Sequence, residues 1–396
     1  MSTPPSRRRR RLTSRRSNRI SPSGIRKFFD LLSSMDDVIS LGVGEPDYAT
    51  PWHIREAAIQ SLEKGYTMYT SNLGMPELRH ELSRYLETSY ALNYSPENEL
   101  LITVGVSEAL DLAMRAILDP GDEVIMPDPC YVAYSASVIL AEGTPIMVPT
   151  TQENDFEIGA ADIEARISGR TRAILIGYPA NPTGAVMSRD KLEQLAEVAQ
   201  RHRLLVISDE IYAKLVYNTE HTCVASLPGM KEHTILLGGF SKAYAMTGWR
   251  VGYAAASREI TAAMTKIHQY AMMCAPTMAQ VAAIEALREG ESSVTEMVGD
   301  YNRRRRVIVK GLNDIGLTCF EPKGAFYAFP AIKCTGLSSE EFAERLLVEE
   351  KVAVVPGSAF GQCGEGYVRC CYATSLADIE EALIRMKRFV GKHRQA

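Results

Sequence analysis

Three features are missing from this 396-residue sequence. It has no apolar run close to the roughly 18–20 residues that a membrane-spanning helix needs, so no membrane segment is expected. The eight cysteines include no C-x-x-C pair, which favours reduced thiols in a reducing compartment over disulfides or a zinc site. No G-x-G-x-x-G follows a predicted strand, which argues against a nicotinamide-dependent oxidoreductase.

Acidic residues are also missing from the first 19 positions, which hold eight arginines. The net charge is −4, so the rest of the chain carries −4 − 8 = −12. An acidic body predicts no nucleic-acid partner. We expect residues 1–19 to form a disordered basic tail. An organellar transit peptide and an over-extended start remain open alternatives for this segment.

The chain is long enough for two domains, and its first part alternates apolar runs with amphipathic stretches. Helical patterns such as 188–202 separate the runs, and this alternation predicts a largely parallel α/β sheet. Functional groups should then lie at the carboxyl ends of the strands. Six nearly continuous apolar runs predict strands covered on both faces: 100–104, 123–126, 172–176, 204–207, 234–237 and 251–254.

After about residue 270 the pattern becomes that of an α+β domain. The predicted elements are a long helix over 279–312, a strand over 324–329, a helix over 338–350, strands over 352–355 and 367–372, and a helix over 376–390. Beside the tail, we therefore expect three parts: an N-terminal segment of 20–51 that joins the small domain, a large domain of 52–278 and a small domain of 279–396.

One lysine stands where a neutral amine is favoured. Residues 238–250 have the sequence GGFSKAYAMTGWR, which places Lys242 among small and aromatic residues and Arg250 eight positions later. Desolvation and a nearby cation both favour the neutral amine. A neutral amine can attack an aldehyde, as a Schiff-base cofactor requires. A lone lysine is more often a surface residue, so the hypothesis depends on the rest of the chain.

Polar residues that follow other strands fit the same chemistry. A carboxylate at Asp209, at the end of an apolar strand, would keep a pyridinium nitrogen protonated, and a protonated ring is an electron sink. Tyr212 and Asn181 could reach a ring oxygen. The alternatives are a helix N-cap for Asp209, a packing tyrosine, and a simple turn at 181–184.

Three further signals are weak individually. Residues 105–110 follow a strand and open a helix, whose N–H groups, dipole and Ser107 hydroxyl would bind a phosphate. Tyr131 offers a face for ring stacking, although it could equally be a half-buried core tyrosine. Arg369 could clamp a carboxylate through two parallel N–H bonds, although most single arginines lie at the surface.

Together these motifs resemble the class I/II aminotransferases among the fold-type I pyridoxal-phosphate enzymes, over roughly residues 20–390. The resemblance implies an α/β fold with a mostly parallel large domain and a smaller α+β domain. It also implies pyridoxal 5'-phosphate as cofactor and a homodimer with shared active sites. The most specific motifs are SK at 241–242, MTGWR at 246–250, NPTG at 181–184, SDEIY at 208–212 and YVR at 367–369.

The resemblance also implies a role for each candidate residue. Lys242 would hold the cofactor and move the proton, and Asp209 would pair with the ring nitrogen. The other implied contacts are Asn181 and Tyr212 to the phenolic oxygen, Tyr131 to the ring face, Val106, Ser107, Ser241 and Arg250 to the phosphate, Arg369, Gly44 and Asn181 to the substrate α-carboxylate, and Tyr69 to the phosphate of the neighbouring subunit.

Two departures from the family pattern bear on specificity. Gly239 stands where many relatives have a serine, so one hydroxyl to the phosphate would be missing. Ser107 stands where some aspartate-specific relatives carry a lysine, which argues against aspartate as the preferred substrate. An arginine of 303–306 or of the N-terminal segment could supply that charge instead. Residues 23–28 resemble a substrate-covering segment of relatives that act on aromatic or larger substrates.

The sequence therefore predicts a cytoplasmic pyridoxal-phosphate aminotransferase. It would move the amino group of an L-amino acid, aromatic or other, to a 2-oxo acid, with 2-oxoglutarate as a plausible acceptor. A C–S β-lyase of the same fold, using the same lysine, is the alternative. A non-catalytic cofactor-binding regulator is disfavoured, because the head before residue 20 is too short for a helix-turn-helix.

Overall fold

The computed structural model describes residues 12–20 and 37–394. The predicted substrate-covering segment 23–28 and residues 1–11 of the basic tail lie outside the described residues. In the described part of the tail, Ser17–Arg19 forms a single 3₁₀ turn, and Arg16 pairs with Glu142 at 3.2 Å. No helix within 12–20 or 37–394 combines the length and the apolar character that crossing a membrane requires.

The described residues contain twelve strands and eleven α-helices, which loops and short 3₁₀ turns connect. The strands are β1 (Ile39–Ser40), β2 (Leu100–Thr103), β3 (Glu123–Asp128), β4 (Thr144–Pro149), β5 (Thr171–Ile176), β6 (Leu205–Asp209), β7 (Thr234–Gly239), β8 (Gly252–Ala255), β9 (Tyr327–Ala328), β10 (Val352–Ala353), β11 (Val355–Pro356) and β12 (Val368–Cys371). The helices are Trp52–Glu63, Pro76–Tyr90, Val106–Ile117, Ala133–Leu140, Ala160–Glu164, Arg189–His202, Arg258–Ala271, Thr277–Glu289, Glu291–Asp314, Ser339–Glu350 and Leu376–His393.

A seven-stranded sheet lies at the centre of the first part of the chain, in the order β2-β8-β7-β6-β5-β3-β4. Strands β3 to β7 pair in parallel, and β8 pairs antiparallel with both β7 and β2. The central strands β5, β6 and β7 are almost wholly buried because helices cover both faces. The expected α/β class with a mostly parallel sheet is confirmed.

The six predicted strands of this sheet are confirmed to within two residues at each end. The sequence pattern does not predict β4. This strand lies at the sheet edge, is only partly buried, and contains Pro145 and Pro149. Proline interrupts the apolar run that identifies a strand, and an edge strand tolerates it because one row of its N–H groups is unpaired.

The expectation of one long helix over 279–312 is wrong, because the helix is interrupted at Gly290. This glycine ends Thr277–Glu289 and precedes Glu291–Asp314. A Cβ atom at Gly290 would lie 2.4 Å from the carbonyl oxygen of Ala286 and 2.7 Å from the Tyr244 ring. The interruption therefore coincides with close packing against Tyr244, which helical periodicity does not indicate.

The last part of the chain contains a three-stranded antiparallel sheet in the order β11-β12-β9. Its register pairs Val355 with Arg369 and Cys371 with Tyr327. The predicted strands here shorten to two to four residues. Strand β1 pairs in parallel with β10, so the chain around residue 40 packs beside this second sheet.

Candidate active site

A cavity of about 550 Å³ opens at the carboxyl edge of the large sheet. Eleven of the twelve candidate residues line it. The exception is Tyr69, which is 81% exposed and lies elsewhere on the surface. The eleven are Gly44, Val106, Ser107, Tyr131, Asn181, Asp209, Tyr212, Ser241, Lys242, Arg250 and Arg369.

The strand directions bring these side chains together. Parallel strands end at one edge of a sheet, and the loops there form ligand sites. Asp209 ends β6, Ser241 and Lys242 follow β7, and Asn181 lies in the loop after β5. Strand β2 leads through a tight turn into helix Val106–Ile117 at the same edge.

The amine of Lys242 is largely enclosed by the protein. Its Nζ donates a hydrogen bond to the carbonyl oxygen of Gly44 at 2.6 Å, and lies 5.9 Å from the ring centre of Tyr212 and 5.8 Å from that of Phe326. Burial lowers the pKa of Lys242 from 10.5 to about 8, with a smaller contribution from the Arg369 cation. Near pH 8 about half of this amine is neutral and able to act as a nucleophile or base.

Asp209 is a buried carboxylate held by two donors. The hydroxyl of Tyr134 donates to Oδ2 at 2.9 Å, and the backbone N–H of Ile211 donates to Oδ1 at 3.2 Å. Burial raises the pKa of Asp209 to about 6, so the site favours a nearby cation that would compensate the carboxylate. The helix N-cap alternative is wrong, because no α-helix begins between β6 and Arg258.

The start of helix Val106–Ile117 and Arg250 form one corner of the cavity. Gly105 precedes the helix with φ of 77°, and a Cβ atom there would lie 2.5 Å from a terminal nitrogen of Arg250. Arg250 donates to the carbonyl oxygen of Thr247 at 2.9 Å. The first N–H groups of a helix have no intrahelical acceptor, so this corner presents N–H donors and a guanidinium to an anion.

Arg369 is a buried cation that lacks an anionic partner among the described residues. Its terminal nitrogens donate to Asn181 Oδ1 at 2.9 Å and to the carbonyl oxygen of Gly42 at 2.7 Å, and its Nε finds no acceptor within 12–20 or 37–394. Its guanidinium carbon lies 4.5 Å from the ring centre of Tyr327. A buried charge without a counter-ion is costly, so this arrangement suits an anionic ligand. The surface-arginine alternative is wrong, since Arg369 is 3% exposed.

Two tyrosines of the cavity are not found by the sequence reasoning. Tyr134 lies three residues after Tyr131, packs edge-on against it with ring centres 5.5 Å apart, and bonds Asp209. Tyr327 bonds Tyr212, with their hydroxyl oxygens 2.6 Å apart. The spacing from Tyr131 is a signal for Tyr134, whereas the sequence around Tyr327 shows only a short strand.

The glycine at position 239 stands in a crowded place. A Cβ atom there would lie 3.0 Å from Val106 Cγ2, 3.2 Å from Gly252 Cα and 3.3 Å from Ile211 Cδ1. A side chain at this position would have to displace one of three neighbours. Glycine rather than serine at position 239 therefore goes together with close packing of β7 against β8 and against the first residue of helix Val106–Ile117.

The arginines of 303–306 do not add a further cation to the cavity. Arg304 pairs with Asp47 and Asp300, each at 2.7 Å, and Arg305 pairs with Glu321 at 2.7 Å. None of the four arginines lines the cavity. That expectation is wrong for this segment, because its buried members, Arg304 and Arg305, pair with acids outside the cavity lining.

The residues present fit a planar phosphorylated pyridine aldehyde. A partly neutral lysine faces the cavity with a buried carboxylate, an anion-binding corner and an unpaired buried arginine. This set matches a cofactor that carries an aldehyde, a basic ring nitrogen and a phosphate, together with a substrate that carries a carboxylate. The site and the α/β fold define the class of pyridoxal-phosphate transferases.

Comparison with known proteins gives the family. The model of the family "Aminotransferase class I and II" matches residues 36–386, so the chain belongs to this family. It is 60% identical over 94% of its length to YugH of Bacillus subtilis, covering 97% of that protein, whose name assigns an aminotransferase without a substrate. It is 47% identical over 93% of its length to an aspartate aminotransferase of Pyrococcus abyssi, covering 96% of it.

A solved structure agrees with the fold. The aromatic aminotransferase of Pyrococcus horikoshii superposes with a TM-score of 0.89 and 44% identity, covering 92% of this chain and 99% of that one. The protein is therefore a fold-type I aminotransferase that depends on pyridoxal phosphate and exchanges amino groups between amino acids and 2-oxo acids. All three of these relatives carry aminotransferase names, so they give the lyase alternative no support.

Proposed function

We propose that this aminotransferase prefers an amino acid with an aromatic or other uncharged side chain to aspartate. The observation that carries the proposal is the set of charges in the cavity. Among the described lining residues the cations are Lys242, Arg250 and Arg369, and the acids are Glu45 and Asp209. Arg250 faces the anion-binding corner and Arg369 lies beside Asn181, so the described lining residues hold no further cation for a side-chain carboxylate. Ser107 cannot take that role.

We propose the following tasks for the chain's own residues. The first N–H groups of helix Val106–Ile117, with Ser107, Ser241 and Arg250, hold the phosphate, while Tyr131 packs on the ring. Pyridoxal phosphate, when bound, supplies an aldehyde and a ring that delocalises the electrons left when an α-proton departs. Asp209 keeps the ring nitrogen protonated. Lys242 Nζ would take the proton from the substrate α-carbon and deliver it to the carbon that carried the aldehyde, which completes the proton shift of transamination.

We propose that Arg369 and Asn181 bind the substrate α-carboxylate, with the backbone of Gly44 beside them. Support comes from the buried guanidinium, its contact with Asn181, and its Nε, which lacks a partner in the described part of the chain. Arg369→Ala should raise the KM for amino acids, because losing one partner of a buried charge pair costs about 2–5 kcal/mol. Arg305→Ala, which removes an arginine equally buried but outside the cavity, should lower stability and leave KM unchanged. Unchanged KM in Arg369→Ala would place the carboxylate elsewhere.

We propose that two copies of the chain form a homodimer with shared sites. Two neighbouring loops carry a large exposed apolar surface. Asn72 Nδ2 donates to the Met273 carbonyl oxygen and Thr277 Oγ1 to the Met68 carbonyl oxygen, both at 2.7 Å, which holds these loops together. Monomers seldom expose such a patch. Its residues, with those of the two adjoining helices Trp52–Glu63 and Arg258–Ala271, are Trp52, Ile59, Leu62, Tyr66, Met68, Tyr69, Tyr270, Met272 and Met273.

A second cavity of about 590 Å³ supports the sharing of sites. It is lined by Arg250, Trp249 and Met278 among others, so it approaches the anion-binding corner from outside. Tyr69 lies beside Met68, whose carbonyl accepts from Thr277 next to this cavity. Within a twofold pair, Tyr69 of one copy would enter the cavity of the other.

We also propose that the chain divides into 20–51, 52–278 and 279–396. The separate sheets of the second and third parts support this division, as does the pairing of β1 with β10. A cytoplasmic location is proposed on the free thiols of all eight cysteines, which a reducing compartment maintains.

A panel of donors tests the substrate proposal. Steady-state kinetics should compare tyrosine, phenylalanine, alanine and aspartate, each with 2-oxoglutarate and with pyruvate. We expect a larger kcat/KM for an uncharged donor than for aspartate, and we expect Ser107→Lys to shift the ratio towards aspartate. A wild-type kcat/KM for aspartate tenfold above all the others, about 1.4 kcal/mol in transition-state binding, would refute the proposal.

A further inference from the structure

Tyr327 lies between the proposed cofactor contacts and the proposed substrate contacts of the cavity, although the sequence around it contains no recognised motif. It lies in β9 of the C-terminal sheet, is 1% exposed and lines the cavity. Its hydroxyl oxygen lies 2.6 Å from that of Tyr212 and 3.4 Å from the carbonyl oxygen of Gly44. Its ring lies under the Arg369 guanidinium at 4.5 Å. Tyr327 therefore contacts both the proposed cofactor side and the proposed substrate side.

The direction of the bond between the two hydroxyls follows from their other neighbours. At 2.6 Å one hydroxyl donates and the other accepts. The Gly44 carbonyl already accepts from Lys242 Nζ at 2.6 Å, and 3.4 Å is long for a hydroxyl bond. The Arg369 cation over the ring favours donation by Tyr327. These contacts favour Tyr327 as the donor to the oxygen of Tyr212, an arrangement that leaves the hydrogen of Tyr212 for another acceptor.

We propose that Tyr327 is a positioning residue that directs the hydroxyl hydrogen of Tyr212 towards the phenolic oxygen of the cofactor. The inference rests on the proposed contact of Tyr212 with that oxygen. A hydroxyl that accepts one hydrogen bond is a stronger donor in the next. Tyr327 thereby strengthens the contact of Tyr212 with a deprotonated oxygen without touching the reacting atoms.

The local backbone accommodates this arrangement. A Cβ atom at Gly44 would lie 2.6 Å from the Tyr327 hydroxyl, so a residue with a side chain there would displace it. The titratable and charged groups that face Tyr327 are Arg369 and Cys371 from β12, Tyr212 after β6, and Tyr131 after β3. Arg369 is the charged group among these four. Its position over the ring favours donation by the Tyr327 hydroxyl, as the proposal requires.

The test is the pH titration of the visible absorbance of the bound cofactor. Removing the hydroxyl in Tyr327→Phe weakens the donor that stabilises the deprotonated cofactor. The titration midpoint should therefore rise by roughly 0.3–1 unit, the equivalent of part of one hydrogen bond. Tyr212→Phe should raise it further. In the double variant Tyr212→Phe/Tyr327→Phe the midpoint should equal that of Tyr212→Phe, because Tyr327 acts through Tyr212.

Tyr301→Phe is the matched control. Tyr301 lies in the same aromatic cluster, with its ring 5.6 Å from Phe326, and its buried hydroxyl bonds none of the residues that the structure describes. This variant should titrate like the wild type. An unchanged or lowered midpoint in Tyr327→Phe, or additive shifts in the double variant, would overturn the inference. Failure of the cofactor to attach at Lys242 in the wild type would instead overturn the proposed function.

Discussion

The amine of Lys242 owes its chemistry to its surroundings rather than to its immediate sequence. Because burial lowers its pKa to about 8, the neutral fraction rises with pH through that value and is nearly complete two units above it. The rate at which pyridoxal phosphate attaches to the cofactor-free protein should follow this curve, measured as the change in visible absorbance after mixing. Lys242→Ala should not show this change in absorbance. A midpoint near the ordinary 10.5 would show that the amine is not desolvated.

Asp209 is the single residue expected to control the protonation of the cofactor ring nitrogen. An adjacent anion favours a protonated ring nitrogen by roughly one to three pK units, so Asp209→Asn should lower kcat by about tenfold to a thousandfold. Cofactor attachment at Lys242 should persist. Asp128→Asn is the control, because Asp128 is also buried at the end of a strand but lies outside the cavity lining. Near-normal turnover in Asp209→Asn would remove Asp209 from the mechanism.

The sequence predicts single residues where local motifs carry the chemistry. Lys242, Asp209 and Asn181 each follow an apolar strand, and parallel strands bring such positions to one edge. The contacts of Tyr327 depend instead on a second sheet packing against the first, and the sequence does not show that packing. The ion pair of Arg304 with Asp47 also escapes prediction, since the two residues are 257 positions apart in the sequence.

At the scale of elements, a small substitution in the turn between β2 and helix Val106–Ile117 should directly disturb the anion-binding corner. Gly105→Ala would put a Cβ atom 2.5 Å from Arg250 at a φ of 77°. Gly121→Ala has a similar φ of 95°, and its Cβ atom would lie more than 4 Å from every described side chain or backbone atom outside its immediate neighbours. Both should lose about 1–2 kcal/mol of stability from the left-handed backbone. Only Gly105→Ala should also weaken pyridoxal-phosphate binding, measured by titration of the cofactor-free protein. Equal affinities in both variants would contradict the anion-binding corner.

Element boundaries show where sequence patterns stop being informative. Apolar runs predict the buried strands β5 and β6 well, because both faces of these strands are covered. Helical periodicity continues through Gly290, whereas the structure interrupts the helix there against Tyr244. Packing between distant segments decides such boundaries, and a one-dimensional pattern does not contain it.

At the scale of the whole molecule, the proposed dimer predicts complementation. Mixed dimers of Lys242→Ala and Tyr69→Phe subunits contain one site with both an intact Lys242 and an intact Tyr69 from its partner. Activity should therefore rise above that of either parent variant, as measured after mixing under conditions of subunit exchange. Homodimers of Lys242→Ala, taken through the same exchange procedure, are the control. If each site used its own Tyr69, the hybrid would gain nothing.

The proposed mechanism depends on one covalent attachment, that of pyridoxal phosphate to Lys242. Borohydride reduction of the cofactor-loaded protein, followed by proteolysis and mass spectrometry, measures it directly. We expect a pyridoxyl adduct on the peptide that contains Ser241 and Lys242, and its disappearance when an amino-acid donor is added before reduction. An adduct on another lysine, or none after incubation with the cofactor, would contradict the mechanism.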